Sequence, residues 1–242
     1  MTDFVQLWVY LSSTPLFGLT ATVVVYALAH SLYLRTQQAP WANPVLWSVV
    51  LIAGGLWLSG TPYPTYFSGA QFIHFLLGPA VVALGWPLWE RRHELRAHAA
   101  PLLLAALAGG LASAGSAWAL GAWLDLPAGV LWALVPKSVT APVAMGLAER
   151  LGGEPALAAV FAVITGLIGA MSARSLFGIL GVPTDARGWR TRGFALGTAA
   201  HGIGAARALQ VQPDAGAYAG LALGLQVVIS ALALPWLVQW LR

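Results

Sequence analysis

Long apolar runs separated by short polar loops make up most of the chain. A helix that spans a bilayer needs about 20 mostly apolar residues. Eight segments reach or approach this length, at residues 14–34, 43–60, 68–89, 101–123, 127–148, 155–182, 194–209 and 217–241. The pattern predicts an all-α polytopic membrane protein of about seven to eight hydrophobic segments, with residues 1–242 forming a single membrane domain.

Glycine and proline interrupt three of these segments, at residues 76–89, 134–145 and 198–209. A broken helix frees backbone N–H and C=O groups that lipid cannot satisfy, so each break must face protein or a water-filled cavity. Broken segments in both parts of a chain are typical of transporters built from repeated halves. We therefore predict broken or re-entrant helices. Whether residues 14–124 and residues 127–242 are two halves related as inverted repeats remains open.

The positive charges predict a topology. Cytoplasmic loops are enriched in Lys and Arg, so we place Arg35 and the loop with Arg91, Arg92 and Arg96 inside and the N-terminus outside. The loop with Arg187, Arg190 and Arg192 then falls inside only if residues 136–142 form a re-entrant or broken element. With residues 194–209 crossing the membrane, Arg242 is also expected inside.

Composition excludes several classes of protein. Hydrophobic residues make up 59% of the 242, charged residues 8%, and cysteine is absent. An ordinary soluble domain carries about 25% charged residues, so a cytosolic enzyme or a nucleic-acid module is excluded. Without cysteine there is no disulfide or thiolate nucleophile. No clustered metal ligands and no nucleophile–histidine–acid set are evident, so we expect neither a bound metal nor enzymatic activity.

The single lysine of the protein marks the first candidate site. Lys137 lies in a proline-flanked stretch, residues 135–142 (VPKSVTAP). A cation between apolar runs is costly in a bilayer and normally faces a cavity or a partner, and the hydroxyls of Ser138 and Thr140 can bind a ligand or satisfy the freed backbone. The alternative is that Lys137 lies in a loop and extends its ammonium to the headgroups.

Two further stretches carry polar groups beside glycines. In residues 197–207 (GTAAHGIGAAR), His201 and Arg207 supply hydrogen bonding and a fixed cation; the alternative is helix packing through small residues, with His201 a satisfied core histidine. In residues 69–79 (GAQFIHFLLGP), Gln71 and His74 share a helix face just before Gly78 and Pro79. Packing and ligand binding are equally open there.

These stretches resemble the LrgB/CidB family of bacterial membrane proteins. The resemblance extends from about Leu7 to Leu241 and rests on residues 67–89 (FSGAQFIHFLLGPAVVALGWPLW), 135–145 (VPKSVTAPVAM) and 197–209 (GTAAHGIGAARAL). The family is similar to the C-terminal half of a plastid glycolate/glycerate transporter. Val81, Ala141 and Ala205 depart from it, since threonine is usual at these positions, and each loses a hydroxyl beside a helix break.

The resemblance implies two functions. One is secondary transport of small monocarboxylates of the pyruvate, glycolate and glycerate class across the bacterial inner membrane, with possible coupling to H⁺ or Na⁺ and no other cofactor. The other is antiholin-like control of murein hydrolases and cell lysis with a small LrgA/CidA-type partner. We expect lipid, a small organic anion and a second copy of the chain, as in a dimer, as partners. The candidate substrate-binding residues are Gln71, His74, Gly78, Pro79, Pro136, Lys137, Ser138, Thr140, His201, Gly202, Gly204 and Arg207.

Overall fold

The computed structural model describes residues 15–76, 79, 85–90 and 92–241, and regular structure in this part of the chain is helical throughout. Four of the described helices are long and apolar enough to cross a membrane, at Leu16–Arg35, Ala99–Trp123, Pro155–Ile179 and Pro213–Trp236. The all-α membrane fold is therefore confirmed. The chain separates into two compact units, Met1–Pro79 and Ala80–Arg242, and each is described by itself. The repeated halves stay a prediction.

The first unit contains helices α1 (Pro15–Arg35), α2 (Pro44–Ser59) and α3 (Tyr63–Phe75). Asn43 caps α2, since its side chain accepts from the backbone N–H groups of Val45 and Leu46, and Gly60 ends it with a φ of 65°. The Thr22 hydroxyl lies 2.7 Å from that of Tyr66. The apolar runs predicted at 14–34 and 43–60 thus correspond closely to α1 and α2.

The second unit holds the remaining helices and both of the most specific motifs. Three long helices alternate with helices that are short or interrupted. The helices are α4 (Gly85–Glu90), α5 (Arg92–Ala97), α6 (Ala99–Trp123), α7 (Ala128–Leu134), α8 (Ala141–Leu151), α9 (Pro155–Ile179), α10 (Ala186–Val211) and α11 (Pro213–Leu241).

Helices α7 and α8 form a hairpin, named here hairpin 1 (Ala128–Leu151). At 1.5 Å per residue they are about 10 and 16 Å long, so neither crosses a hydrocarbon core of about 30 Å. The backbone N–H of Glu154, just beyond α8, donates to the carbonyl of Gly129 at the start of α7, at 3.0 Å. The chain returns to the end from which it entered. This confirms the re-entrant element predicted at residues 136–142.

Helix α10 also turns back on itself, at His201, and is named here hairpin 2 (Ala186–Val211). Residues 196 and 204 of a straight helix are about 12 Å apart, yet a Cβ on Gly204 would lie 2.7 Å from the Leu196 carbonyl oxygen. On the first arm, Gly193 and Gly197 pack against the backbones of Ala215 and Ala219 in the same order along α11. The first arm therefore runs parallel to α11, and the second arm returns.

The prediction that residues 194–209 cross the membrane is consequently wrong. The chain reverses at His201, so α11 starts from the same end as α10. Helix α11 then leads away from that end, and Leu234 packs near Trp132 of hairpin 1. The cytoplasmic placement of the carboxyl end, which depended on the crossing, fails with it. Arg242 itself lies outside the described residues.

The two hairpins enter the second unit from opposite ends. Hairpin 1 begins where α6 ends, and α9 then carries the chain to the other end, where hairpin 2 begins. At that second end the Tyr218 hydroxyl donates to the Glu94 carboxylate, and the guanidinium of Arg190 lies 5.5 Å from the Tyr218 ring. The two basic stretches, near 92–96 and 187–192, therefore share one end, as the charge argument predicted.

Candidate binding site at the hairpin tips

The tip of hairpin 1 is a non-helical turn over residues 135–140. Pro136 has no N–H to donate, and its carbonyl accepts from the backbone N–H of Val139 at 3.2 Å. Thr140 precedes α8 with a φ of −59° and a ψ of 145°, and its side chain makes no capping hydrogen bond. The first backbone N–H groups of α8 therefore lie next to the turn, and the side chain of Thr140 does not cap them.

Lys137 is held at this tip by the middle of α6. Its ammonium donates to the backbone carbonyl of Ser113 at 3.0 Å and to the Ser113 hydroxyl at 2.7 Å. The same hydroxyl lies 2.6 Å from that of Ser138, which is 6% exposed. An ammonium has three N–H donors, and these contacts use two. Lys137 points inward at α6, so the alternative of a loop lysine extended to the headgroups is not the observed arrangement.

The tip of hairpin 2 is set by the backbone of His201. This residue has a φ of 41° and a ψ of −134°, a backbone conformation that residues other than glycine rarely adopt. The buried imidazole meets the Ala162 carbonyl of α9, with Nε2 2.7 Å from the oxygen. A carbonyl only accepts, so Nε2 carries the hydrogen. Gly166 leaves room for the ring, since a Cβ there would lie 2.9 Å from it.

Helix α6 brings the two tips together. A Cβ on Gly109 would lie 2.6 Å from the methyl group of Thr198, near the tip of hairpin 2. One turn further on, Ser113 contacts Lys137 and Ser138 of hairpin 1. Residues four apart share a helix face. Both tips therefore pack against the same face near the middle of α6, one turn apart and ten to fourteen residues from its far end at Trp123.

A partly open cavity of about 120 Å³ adjoins the tip of hairpin 1. Its polar lining comes from Ser113, Ser138, Gln226 and Ser230, and the rest is largely apolar. Gln226 on α11 is 3% exposed and donates to the Ser230 hydroxyl at 3.3 Å. Within the described part of the chain, its Oε1 and the Thr140 hydroxyl are buried without a hydrogen-bond partner. Such groups are costly to bury. Gln226 lines the cavity, so a polar ligand there would satisfy its Oε1, whereas Lys137 and Thr140 are not among the lining residues.

The structure assembles part of the predicted set. Pro136, Lys137 and Ser138 lie at the tip of hairpin 1 and Thr140 precedes α8, while His201, Gly202 and Gly204 form the tip of hairpin 2. His201 faces α9, not the cavity. Arg207 lies on the returning arm and is partly exposed.

The third predicted motif belongs to the first unit. Gln71 and His74 lie on α3, and Gln71 donates to the Ser68 carbonyl at 2.7 Å. Pro79 is exposed, and Gly78 lies outside the described residues. Since the two units are described separately, this motif stays a prediction.

Sequence reasoning missed Ser113 and Gln226. Each is a polar residue within a long apolar run, in α6 and α11 respectively. Buried polar residues in membrane helices often mark a site, so this signal was available. What it lacked was any indication that both side chains face the turn around Lys137.

The model of the LrgB-like family matches residues 22–240. The chain belongs to this family. Among its relatives, protein YwbG of Bacillus subtilis is 30% identical over 93% of this chain and 97% of its own length. Protein YxaC of the same organism is 33% identical over 91% of this chain and 93% of its own. A Staphylococcus aureus relative named "Holin-like protein CidB" is 27% identical over 98% of both chains. No solved structure matches the chain.

Proposed function

We propose that this multi-pass membrane protein is a secondary transporter of small monocarboxylates of the pyruvate, glycolate and glycerate class in a bacterial inner membrane. The observation that carries the proposal is the packing of two oppositely entering hairpins against one face of α6, one turn apart, where α6 also holds a partly buried lysine. No carboxylate in the described part of the chain lies within 4.0 Å of that ammonium. A fixed cation without an acidic partner suits an anionic substrate.

The residues at the tip supply what a carboxylate requires. Lys137 would direct its remaining N–H to one carboxylate oxygen. The hydroxyls of Ser113 and Ser138 share one hydrogen bond, which leaves one O–H of the pair to donate to the substrate. The amino terminus of α8, eleven residues long, adds the partial positive charge of a half-helix. The cavity beside Gln226 would hold the rest of the molecule. Rocking of one bundle against another would then expose the site to each side in turn, with H⁺ or Na⁺ as the candidate coupling ion.

Uptake of labelled pyruvate and glycolate into proteoliposomes tests this function. We expect uptake above that of empty vesicles, and its near loss in Lys137→Met. Arg150→Gln is a matched control, because Arg150 is an exposed cation outside the cavity. Imposed proton or sodium gradients identify the coupling ion. Uptake by Lys137→Met at the wild-type rate would contradict the proposal.

The second candidate is holin-like control of cell lysis together with an LrgA/CidA-type partner. The name of the CidB relatives favours it directly, since the similarity extends over 98% of both chains. A regulator that acts through protein contacts needs its surface and not the lysine. In a host lacking the gene, restoration of autolysis control by Lys137→Met, with carboxylate uptake unaffected by the deletion, would favour this function over transport. Co-purification with a second copy or with an LrgA-type protein tests the partner predictions.

A further inference from the structure

A second cleft, of about 510 Å³, runs between α6 and the first arm of hairpin 2. On α6 its lining follows one face at intervals of four residues, through Pro101, Ala105, Gly109 and Ser113. At 1.5 Å per residue this stripe is about 18 Å long. The cleft therefore connects the basic end of the second unit to Ser113, the residue that holds Lys137.

Two arginines line the mouth of this cleft. Arg187 and Arg190 are both exposed, and the guanidinium of Arg190 lies 5.5 Å from the ring of Tyr218, which also lines the cleft. Two carboxylates lie near this mouth: Asp185 accepts from the Gly188 backbone N–H at 2.7 Å, and Glu94 accepts from the hydroxyl of Tyr218. The described lining contains no acidic residue.

The third arginine of this stretch has a different environment. Arg192 donates to the Val182 carbonyl, and its guanidinium lies 5.1 and 5.5 Å from the rings of Trp189 and Phe177. Its side chain therefore packs within the fold, and it does not line the cleft. The positive-inside rule explains all three arginines as a group, but it does not explain why only two of them line a cleft leading to Ser113.

We propose that Arg187 and Arg190 form a peripheral anion-binding station at the mouth of the cleft, from which a carboxylate passes along the α6 face to Ser113 and Lys137. The station rests on the proposed transport function for its role. Its chemistry is guanidinium recognition of an anion, and a lined positive mouth raises the local concentration of an anionic solute. A lipid phosphate would satisfy the same arginines, so the experiment distinguishes the two sources.

The first experiment measures uptake of labelled pyruvate by the double variant R187Q/R190Q in neutral-lipid vesicles. We expect KM to rise roughly tenfold at low salt with kcat retained, and the difference from wild type to shrink as added salt screens exposed charges. The charge-matched control is R150Q/R174Q, whose arginines are exposed and lie outside the cleft. An unchanged KM at low salt, or an equal change in the control, would overturn the station.

The second experiment does not depend on transport. Phenylglyoxal labelling of the purified protein, mapped by mass spectrometry, reports access to each arginine. We expect glycolate to protect Arg187 and Arg190, but not Arg174, in both wild type and Lys137→Met. Protection without any wild-type uptake would refute the proposed transport and leave an anion site standing. Protection by phosphatidylglycerol and not by glycolate would assign the arginines to lipid and overturn the station as a substrate site.

Discussion

The two hairpins reverse the chain by different physical means. Hairpin 1 uses a six-residue turn that contains Pro136 and precedes Pro142, and it presents a lysine from this turn. Hairpin 2 reverses at His201, in a conformation uncommon for a non-glycine residue, and presents small residues that pack closely against α9 and α11. The difference indicates a division of roles. In the proposed transporter, hairpin 1 would supply the charged and hydroxyl groups of the site, while hairpin 2 packs tightly against α9 and α11 and adds no residue to the cavity beside hairpin 1.

The largest effect is expected for Lys137→Met, which tests the role of hairpin 1 separately from that of hairpin 2. Charge-assisted hydrogen bonds contribute about 1.5–3 kcal/mol, so Lys137→Met should weaken binding of pyruvate by about 10- to 100-fold. The melting temperature in detergent should change little, because the lysine is only partly buried. Isothermal titration and thermal melting check the two parts. A folded variant that binds like wild type would remove hairpin 1 from the chemistry.

Close packing of hairpin 2 gives the next effect, on stability and not on binding. A Cβ at residue 197 would collide with the backbone of Ala219, so Gly197→Ala should destabilise the protein by about 1–3 kcal/mol. Gly178→Ala is the control, since nothing lies within 4 Å of a Cβ there. The melting temperature of each variant is the measurement. Equal values for the two variants would contradict tight packing of hairpin 2.

The reversal at His201 is tested by two substitutions. His201→Ala keeps the uncommon backbone angle and loses the bond to Ala162, so we expect a loss of about 1–2 kcal/mol. Asn adopts positive φ more readily, so His201→Asn should be less destabilising. Chemical denaturation of both variants measures the order. The reverse order would show that the backbone angle at this residue contributes little.

Ser113 gives the smallest effect, on the link between α6 and hairpin 1. Ser113→Ala removes the 2.7 Å bond from the ammonium and keeps the carbonyl contact, so pyruvate binding should weaken by roughly 2- to 10-fold, as for loss of one hydrogen bond of about 0.5–1.5 kcal/mol. Ser172→Ala, at an exposed serine bonded within its own helix, is the control. A loss as large as that of Lys137→Met would show that the serine, not the lysine, binds the substrate.

Prediction from sequence succeeded where a local pattern has one physical outcome. Pro136 has no backbone N–H and Pro142 suits the first turn of a new helix, so together they favour a break between them, and the charge asymmetry required the chain to return there. The run around His201 failed as a prediction, because glycine and alanine are compatible both with a short span and with a sharp reversal. Only the contacts of Gly193, Gly197 and Gly204 distinguish these outcomes.

The sequence by itself determined the membrane class, most long helices, the break at Lys137 and the family, because apolar run length, proline chemistry and motif spacing are local properties. The tertiary structure alone decided that α10 reverses, that the hairpins enter from opposite ends, that Ser113 holds the lysine and that Gln226 lines the cavity beside its hairpin. Those features depend on which helix faces meet, and contacts between residues 20 or more positions apart leave no periodic signal in the chain. The few charges that lipid would not tolerate were visible from the start; their partners were not.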